Sequence, residues 1–295
     1  MKTYKASIPT GQSEIREWGE WTLIRGRIKH WTETLFVDHP ELFLPWMEQM
    51  NTFAQPQVEG LRKIFQAHGV PSGGRILDLA CGLGRISINL AKAGYEVVGV
   101  DISPLYLRLA QKWAKKESVD GKTIFYRIDA RKATRLLASE EDRFDAVVNI
   151  GTSMGYYGEA DDRRVLHSLR AITGRHGVLV IETVNRDYLV RHFQEQNISE
   201  MGKMVWSDAR RLDLESSFMR NSWKFYRRER NSLRLIADVP VSHRVYSLHE
   251  LKALLFSAGW DYVESYGSLG ELTPLTIDSF HMTVVSRRLA STSKI

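Results

Sequence analysis

The sequence predicts an α/β fold, a mostly parallel sheet with helices on both faces, and three observations carry the prediction. Short apolar strands alternate with amphipathic helices from residue 57 to residue 185, the pattern of strand–helix–strand units. Those strands lack the alternation of a sheet with one wet face, as expected when both faces are covered. The 295 residues are 43% hydrophobic and 26% charged, enough for an ordinary globular core.

The elements follow in order. Residues 1 to 55 hold Trp18, Trp21, Trp31, Phe36, Phe43, Trp46 and Phe53 among charges, with no sustained period. From Gln57 to His68 the residues Val58, Leu61, Ile64 and Phe65 fall on one helical face, and Pro71-Ser-Gly-Gly74 stops the run. Arg75–Ala80 is a strand, Cys81-Gly-Leu-Gly84 a turn, and Ile86–Ala93 a helix ended by Gly94. Glu96–Val100 is the second strand. Pro104–Lys116 is a helix with proline in its first turn, where a missing N–H costs little. Thr123–Ile128 and Asp145–Ile150 are the third and fourth strands, Asp161–Thr173 a helix and Val178–Thr183 the fifth strand.

The alternation stops after Asn185. Between Gly202 and Tyr246, stretches such as Ser222–Tyr226 and Ser232–Ile236 read as antiparallel strands. Ser247–Ala258 is a helix with Ser247 as N-cap and Glu250 three residues on. Asp261–Tyr266 and His281–Ser286 complete the sheet. The expected division is a cap over 1–56, a core over 57–190, an antiparallel insert over 191–245 and a return to the core over 246–295.

Composition narrows the function. No apolar run approaches the ~20 residues of a membrane helix, and the N-terminus lacks a secretory apolar stretch. Cys81 is the single cysteine, so neither an intrachain disulfide nor an all-cysteine metal site is expected; no metal ligand is assigned, and a cytoplasmic setting is expected. The net charge is +6, and Met201–Val245 alone holds ten Lys/Arg against five Asp/Glu. Such a segment is either a solvated face or an attractor for an anionic substrate or nucleic acid. Its basic residues are interleaved with acids and no RNA-binding module is visible, so nucleic acid is not favoured.

The strand ends carry the chemistry. A glycine turn after the first strand lets backbone approach a ligand and presents helix N–H groups. A pyrophosphate-binding dinucleotide turn places glycine or alanine where Ser87 stands here. Asp78, Asp101 and Asp129 stand at the carboxyl ends of adjacent strands, where open α/β sheets bind ligands. They would repel a pyrophosphate. An ammonium, a ribose and an adenine would each find a partner: Asp78, Asp101 and Asp129 in turn. Each acid alone is equally consistent with helix capping.

The run Ile76-Leu-Asp-Leu-Ala-Cys-Gly-Leu-Gly-Arg85 resembles the first motif of class I S-adenosylmethionine-dependent methyltransferases, and Val98-Gly-Val-Asp-Ile-Ser103 their second. Ile128-Asp-Ala130 is similar to their adenine-contacting motif. Phe144–Asn149 with Gly151–Tyr156 is similar to the fourth-strand motif. The insert after the fifth strand resembles the small-molecule branch that includes glycine N-methyltransferase and aminosugar N-methyltransferases. The resemblance implies a Rossmann-like, seven-stranded, mostly parallel sheet, with the insert and an N-terminal helical cap roofing the acceptor pocket. It implies S-adenosylmethionine as cofactor, held by Asp78, Ala80, Gly82, Gly84, Asp101, Ile102, Asp129, Ala130 and Asn149. It also implies a small-molecule acceptor methylated on nitrogen or oxygen. Two departures stand out: Gly174-Arg-His-Gly177 replaces the usual Pro-Gly-Gly, and Tyr106 stands where methionine is common.

On the acceptor side Tyr156 is the first candidate, with packing over the cofactor as its alternative. His192 is a candidate base, although a lone histidine is more often structural. Asn185 and Arg186 follow the fifth strand and are candidate acceptor ligands; His281 is read as structural. The tryptophans are either core or a lid able to make cation–π contacts. Three other readings stay open: an RNA or protein acceptor, a nicotinamide dehydrogenase, and a non-catalytic sensor of the cofactor.

Overall fold

The fold was read from a computed structural model that describes residues 21–24, 27–132 and 143–289; the expectation for Trp18 lies outside them. The sheet that organises the chain forms as the sequence predicts. Strands β3 (Arg75–Leu79), β4 (Glu96–Asp101), β5 (Thr123–Arg127), β6 (Phe144–Ile150) and β7 (Thr173–Val184) are mutually parallel. The return strands β12 (Trp260–Ser268) and β14 (His281–Arg288) pair antiparallel beyond β7, and the two-residue β13 (Thr273–Pro274) adds an edge. The order is β13-β12-β14-β7-β6-β3-β4-β5, so seven full strands carry the sheet and β13 makes an eighth.

Both faces are buried, and successive strand residues serve opposite cores. Leu77, Leu79, Val98, Val100 and Val147 pack against α6 (Glu159–Ile172) and α8 (Leu248–Ser257). Ile76, Val97, Ala146 and Val148 pack against α3 (Ala54–Ala67) and α4 (Arg85–Lys92). That is why these strands read as unbroken apolar runs. Helix α5 (Pro104–Lys116) begins at the predicted proline behind the N-cap Ser103. Helix α8 carries the predicted capping box between Ser247 and Glu250. At β7 the expected turn becomes part of the strand. Phe144 pairs with Thr173 and Ala146 with Val178, so residues 174–177 bulge out of the ladder.

The insert forms a second sheet, β8 (Gln196–Met201), β9 (Met204–Asp213), β10 (Phe218–Glu229) and β11 (Ser232–Arg244), antiparallel throughout. The N-terminal segment has a hairpin of β1 (Trp21–Ile24) and β2 (Arg27–His30). Helices α1 (Trp31–Glu33) and α2 (Leu44–Gln49) follow, with a π-helical turn at Thr34–Asp38 between them. Its apolar residues pack on the insert: Trp31, Leu35 and Leu42 share a cluster with Phe225, Val239 and Val241. Hydrogen bonds fasten it, among them Trp31 Nε1 to the Ser242 carbonyl at 2.8 Å, Tyr106 Oη to the Pro40 carbonyl at 2.9 Å and the Thr32–Tyr157 hydroxyl pair at 3.2 Å. The Pro40 bond gives the unusual Tyr106 a structural task. Helix α7 (Arg186–Arg191) links β7 to the insert. No helix among the described residues is long and apolar enough to cross a membrane.

Two predictions follow from this packing. Gly60 lies inside α3, where alanine normally gains about 1 kcal/mol. A Cβ there meets the Leu269 carbonyl, so Gly60→Ala is expected to destabilise by about 1–3 kcal/mol, the usual cost of overpacking, in denaturant unfolding. Asp162 accepts the Tyr246 hydroxyl at 2.7 Å, and burial pushes its carboxyl up to about 7 against that hydrogen bond. A carboxyl raised on folding contributes stability below its unfolded pKa and loses it as pH rises through the folded value. Stability of the wild type relative to Asp162→Asn is therefore expected to fall by up to about 4 kcal/mol between about pH 4 and pH 8, measured by denaturation across that range.

Candidate active site

The carboxyl ends of β3, β4 and β6 open into a cavity of about 910 Å³, near the top of the ~300–1,000 Å³ range of small-molecule sites. Its floor is the glycine turn. Ala80, Gly82 and Gly84 all have positive φ, of 57°, 55° and 76°, so the backbone coils tightly between β3 and α4. Ala80, Cys81, Gly82 and Leu83 line the cavity. Gly84 stands behind them as N-cap of α4, its Cα hydrogens facing Ala110 and Phe125. Met47 of the N-terminal segment rests on Gly82, in the space a Cβ there would take.

Asp101, at the end of β4, fixes this turn. Its Oδ2 accepts the Gly82 N–H at 2.9 Å and its Oδ1 the Ser103 N–H at 2.8 Å. Burial raises its pKa and these N–H groups counter the rise. Each oxygen keeps acceptor capacity, and Asp101 and Ile102 both line the cavity. Asn149, on β6, donates through Nδ2 to the Leu79 carbonyl at 2.8 Å and to Ser153 Oγ at 2.7 Å. Its Oδ1 is buried without a hydrogen bond. Ala130 also lines the cavity.

The other two strand-end acids are differently employed. Asp78 does not line the cavity; its Oδ2 accepts from Ser87 N at 3.1 Å and Ser87 Oγ at 2.5 Å, tying β3 to the first turn of α4. Burial pushes its carboxyl up to about 6 despite those bonds. Asp129 opens on a smaller neighbouring cavity of about 210 Å³, shared with Ile102 and Tyr157. Arg131 grips it from Nε at 3.0 Å and Nη2 at 2.6 Å while lying 4.0 Å over the Tyr157 ring. Burial works against the charge of Asp129, but the Arg131 hydrogen bonds prevail and its pKa is lowered.

Of the acceptor-side candidates, the structure brings only Tyr156 into the cavity. Its ring lies 4.7 Å from Trp31 and 6.1 Å from Phe36, and burial pushes its hydroxyl up to about 12. His192 is 43% exposed, pairs with Asp278 at 3.3 Å and does not line the cavity. Asn185 caps α7 by accepting the Asp187 N–H, and donates to the Thr276 and Ser279 carbonyls at 3.2 and 3.0 Å. Arg186 pairs with Asp187 at 3.7 Å. Neither lines the cavity, because closing the β7–α7 junction consumes Asn185 and the chain leaves the site there. His281, read as structural, does line it.

Two groups escaped the sequence reading. Arg85 donates to Gln57 Oε1, and Gln57 Nε2 donates to Glu182 Oε1 at 2.7 Å; all three line the cavity. The signal was Arg85 itself, which directly follows the glycine turn. The second group is the inner face of the insert: Trp206, Asp208 and Arg210 on β9, Asn221 and Trp223 on β10, and Val241 and His243 on β11. Period-two spacing marked these strands, but nothing in the spacing told which face looks inward.

The site residues fit a nucleoside cofactor. The turn has no Cβ at Gly82, Asp101 has free lone pairs, and Asn149 Oδ1 lacks a partner. A family profile for a methyltransferase domain matches residues 76–177. The chain is 42% identical over 93 residues to a putative methyltransferase, YqeM, of Bacillus subtilis (strain 168), covering 32% of this chain and 35% of that protein. It is 32% identical over 148 residues to a glycine/sarcosine N-methyltransferase of Aphanothece halophytica, covering 49% and 53%. The matched stretch thus spans between a third and about half the length of these curated relatives. The crystal structure of the CcbJ methyltransferase of Streptomyces caelestis superposes with a TM-score of 0.66 at 20% identity, over 80% of this chain and 90% of that one; this likeness is one of fold. The stretch from residue 76 to residue 177, about a third of the chain, thus matches a methyltransferase domain.

Proposed function

We propose that this protein moves a methyl group from S-adenosylmethionine to a nitrogen or oxygen of a small-molecule acceptor by in-line displacement. One observation carries the reading. The Asp101 turn and an aromatic chamber lie in the same continuous cavity, so a nucleoside and a second molecule have adjoining places. Bound there, S-adenosylmethionine supplies a methyl carbon already activated by its sulfonium.

The chain's own residues do the rest. Asp101 accepts from the ribose hydroxyls, Ile102 and Ala130 meet the adenine, and Asn149 Oδ1 takes a donor that the fold does not supply. Arg85, Gln57 and Glu182 form a linked set with both charges, suited to the amino-acid end of the cofactor. Tyr156 borders the acceptor side. The aromatic walls exclude water and hold the partners in line, and such positioning is worth up to ~7–11 kcal/mol of the barrier. In this reading residues 1–56 cap the site, 57–190 and 246–295 hold the cofactor, and 191–245 roof the acceptor. The basic insert residues are largely paired, Arg228 with Glu200, Arg234 with Glu229 and Arg220 with Asp213, which favours a small molecule over a polyanion.

Calorimetric titration separates this reading from a dehydrogenase. S-adenosylhomocysteine is expected to bind and NADH not to bind; the reverse result sinks the proposal. Asp101→Ala is expected to weaken S-adenosylhomocysteine binding at least about fivefold, as for loss of hydrogen bonds to a charged group. Unchanged affinity in that variant would remove the ribose assignment.

A further inference from the structure

We propose that the acceptor is a ring-bearing amine with an apolar body, and that His243 holds its nitrogen; the inference rests on the methyltransferase reading above. Six aromatic rings line the cavity away from the glycine turn: Trp31, Phe36, Phe43, Trp46, Trp206 and Trp223. They brace one another, Trp206 edge-on to Trp223 at 4.5 Å and to Trp46 at 5.0 Å, with Phe43 stacked on Trp223 at 5.6 Å. Walls of this kind offer flat faces and few hydrogen bonds. A sugar, with a hydroxyl on most carbons, would leave its polar groups unpaired against them.

The polar groups gather in one corner, on the same face of the insert. Asp208 and Arg210 are joined at 2.6 Å through Asp208 Oδ2, which matches their charges, while Asp208 Oδ1 stays without a partner among the described residues. A free amino acid needs a cation for its carboxylate, and of the two arginines that line the cavity Arg210 is paired with Asp208 and Arg85 belongs to the set that takes the cofactor's amino-acid end. His243 is different. It lines the cavity, its ring lies 6.3 Å from Tyr156, and its Nδ1 is buried without a hydrogen-bond partner among the described residues. Its strand is held in place by the Trp31 Nε1 bond to the neighbouring Ser242 carbonyl. Among the described residues of that corner, His243 Nδ1 and Asp208 Oδ1 are the buried atoms with an uncommitted lone pair, and of the two only His243 has no counter-charge joined to it.

The same surroundings choose nitrogen over oxygen. A hydroxyl acceptor gives up its proton during attack, and a good base must receive it. Burial and the Arg210 charge both disfavour a second positive charge on His243, Asp208 is tied to Arg210, and the Tyr156 hydroxyl is a weak acid held protonated. A neutral amine needs no base beforehand. Its lone pair forms the C–N bond as the C–S bond breaks toward sulfur, and the extra proton then leaves to water. Neutral His243 accepts one N–H and thereby aims the lone pair, a positioning role, while desolvation by the rings favours the uncharged amine.

The test uses the full chain saturated with S-adenosylhomocysteine, which blocks turnover. Phenethylamine, glycine and glucosamine are titrated by calorimetry at about pH 9, where part of each amine is uncharged. Phenethylamine is expected to bind at least about tenfold more tightly than either of the others. His243→Phe, which keeps a ring beside Tyr156, is expected to weaken it at least about fivefold. His243→Gln, which keeps a hydrogen-bond acceptor, is expected to restore it to within about twofold, with S-adenosylhomocysteine affinity equal in all three proteins. Glycine or glucosamine binding as tightly, no phenethylamine binding at all, or equal affinity in the His243→Phe variant would each overturn the inference. Failure of S-adenosylhomocysteine itself to bind would instead overturn the methyltransferase reading on which it rests.

Discussion

The Asp101 carboxylate, buried at the end of β4 and held by two backbone N–H groups, is the constraint on which the site depends. A buried carboxylate without partners is costly, and here the partners are Gly82 and Ser103, one on each side of the β3–β4 pair. Satisfying it forces the chain after β3 to coil back over β4, which the positive φ values at Ala80, Gly82 and Gly84 permit. The bond therefore shapes the turn, starts α4 and leaves acceptor lone pairs facing the cavity. Asp78 supports the arrangement from behind by holding Ser87. Two of the three strand-end acids thus build one turn, and only Asp101 also faces the cavity.

The upper half of the cavity is assembled differently. No single segment could make it: the N-terminal segment contributes Trp31, Phe36, Phe43 and Trp46, the insert contributes Trp206, Trp223 and His243, and the loop after β6 contributes Tyr156. These parts are far apart in sequence and meet through aromatic edge and face contacts, with the Trp31–Ser242 and Tyr106–Pro40 bonds as fasteners. Packing of large rings is stabilising and geometrically particular. The cofactor half, by contrast, is set by one βα unit and its neighbours.

The sequence by itself determined the sheet, its parallel core and the turn. Unbroken apolar strands such as Val97–Val100 and helix signals such as Pro104, Ser247 and Glu250 are local, and local patterns are readable because each residue's neighbours in the chain are also its neighbours in the element. The strand ends that carry Gly82 and Asp101 were located by the same patterns, whereas Asn149 entered only through the family resemblance. Tertiary structure alone decided which polar groups face the cavity. Asn185 and His192 lay at plausible sequence positions, yet Asn185 closes the β7–α7 junction and His192 meets Asp278 at the surface. His243 and the Trp206–Arg210 face carried no signal beyond alternation, since a strand's period names two faces and only long-range packing selects the inner one.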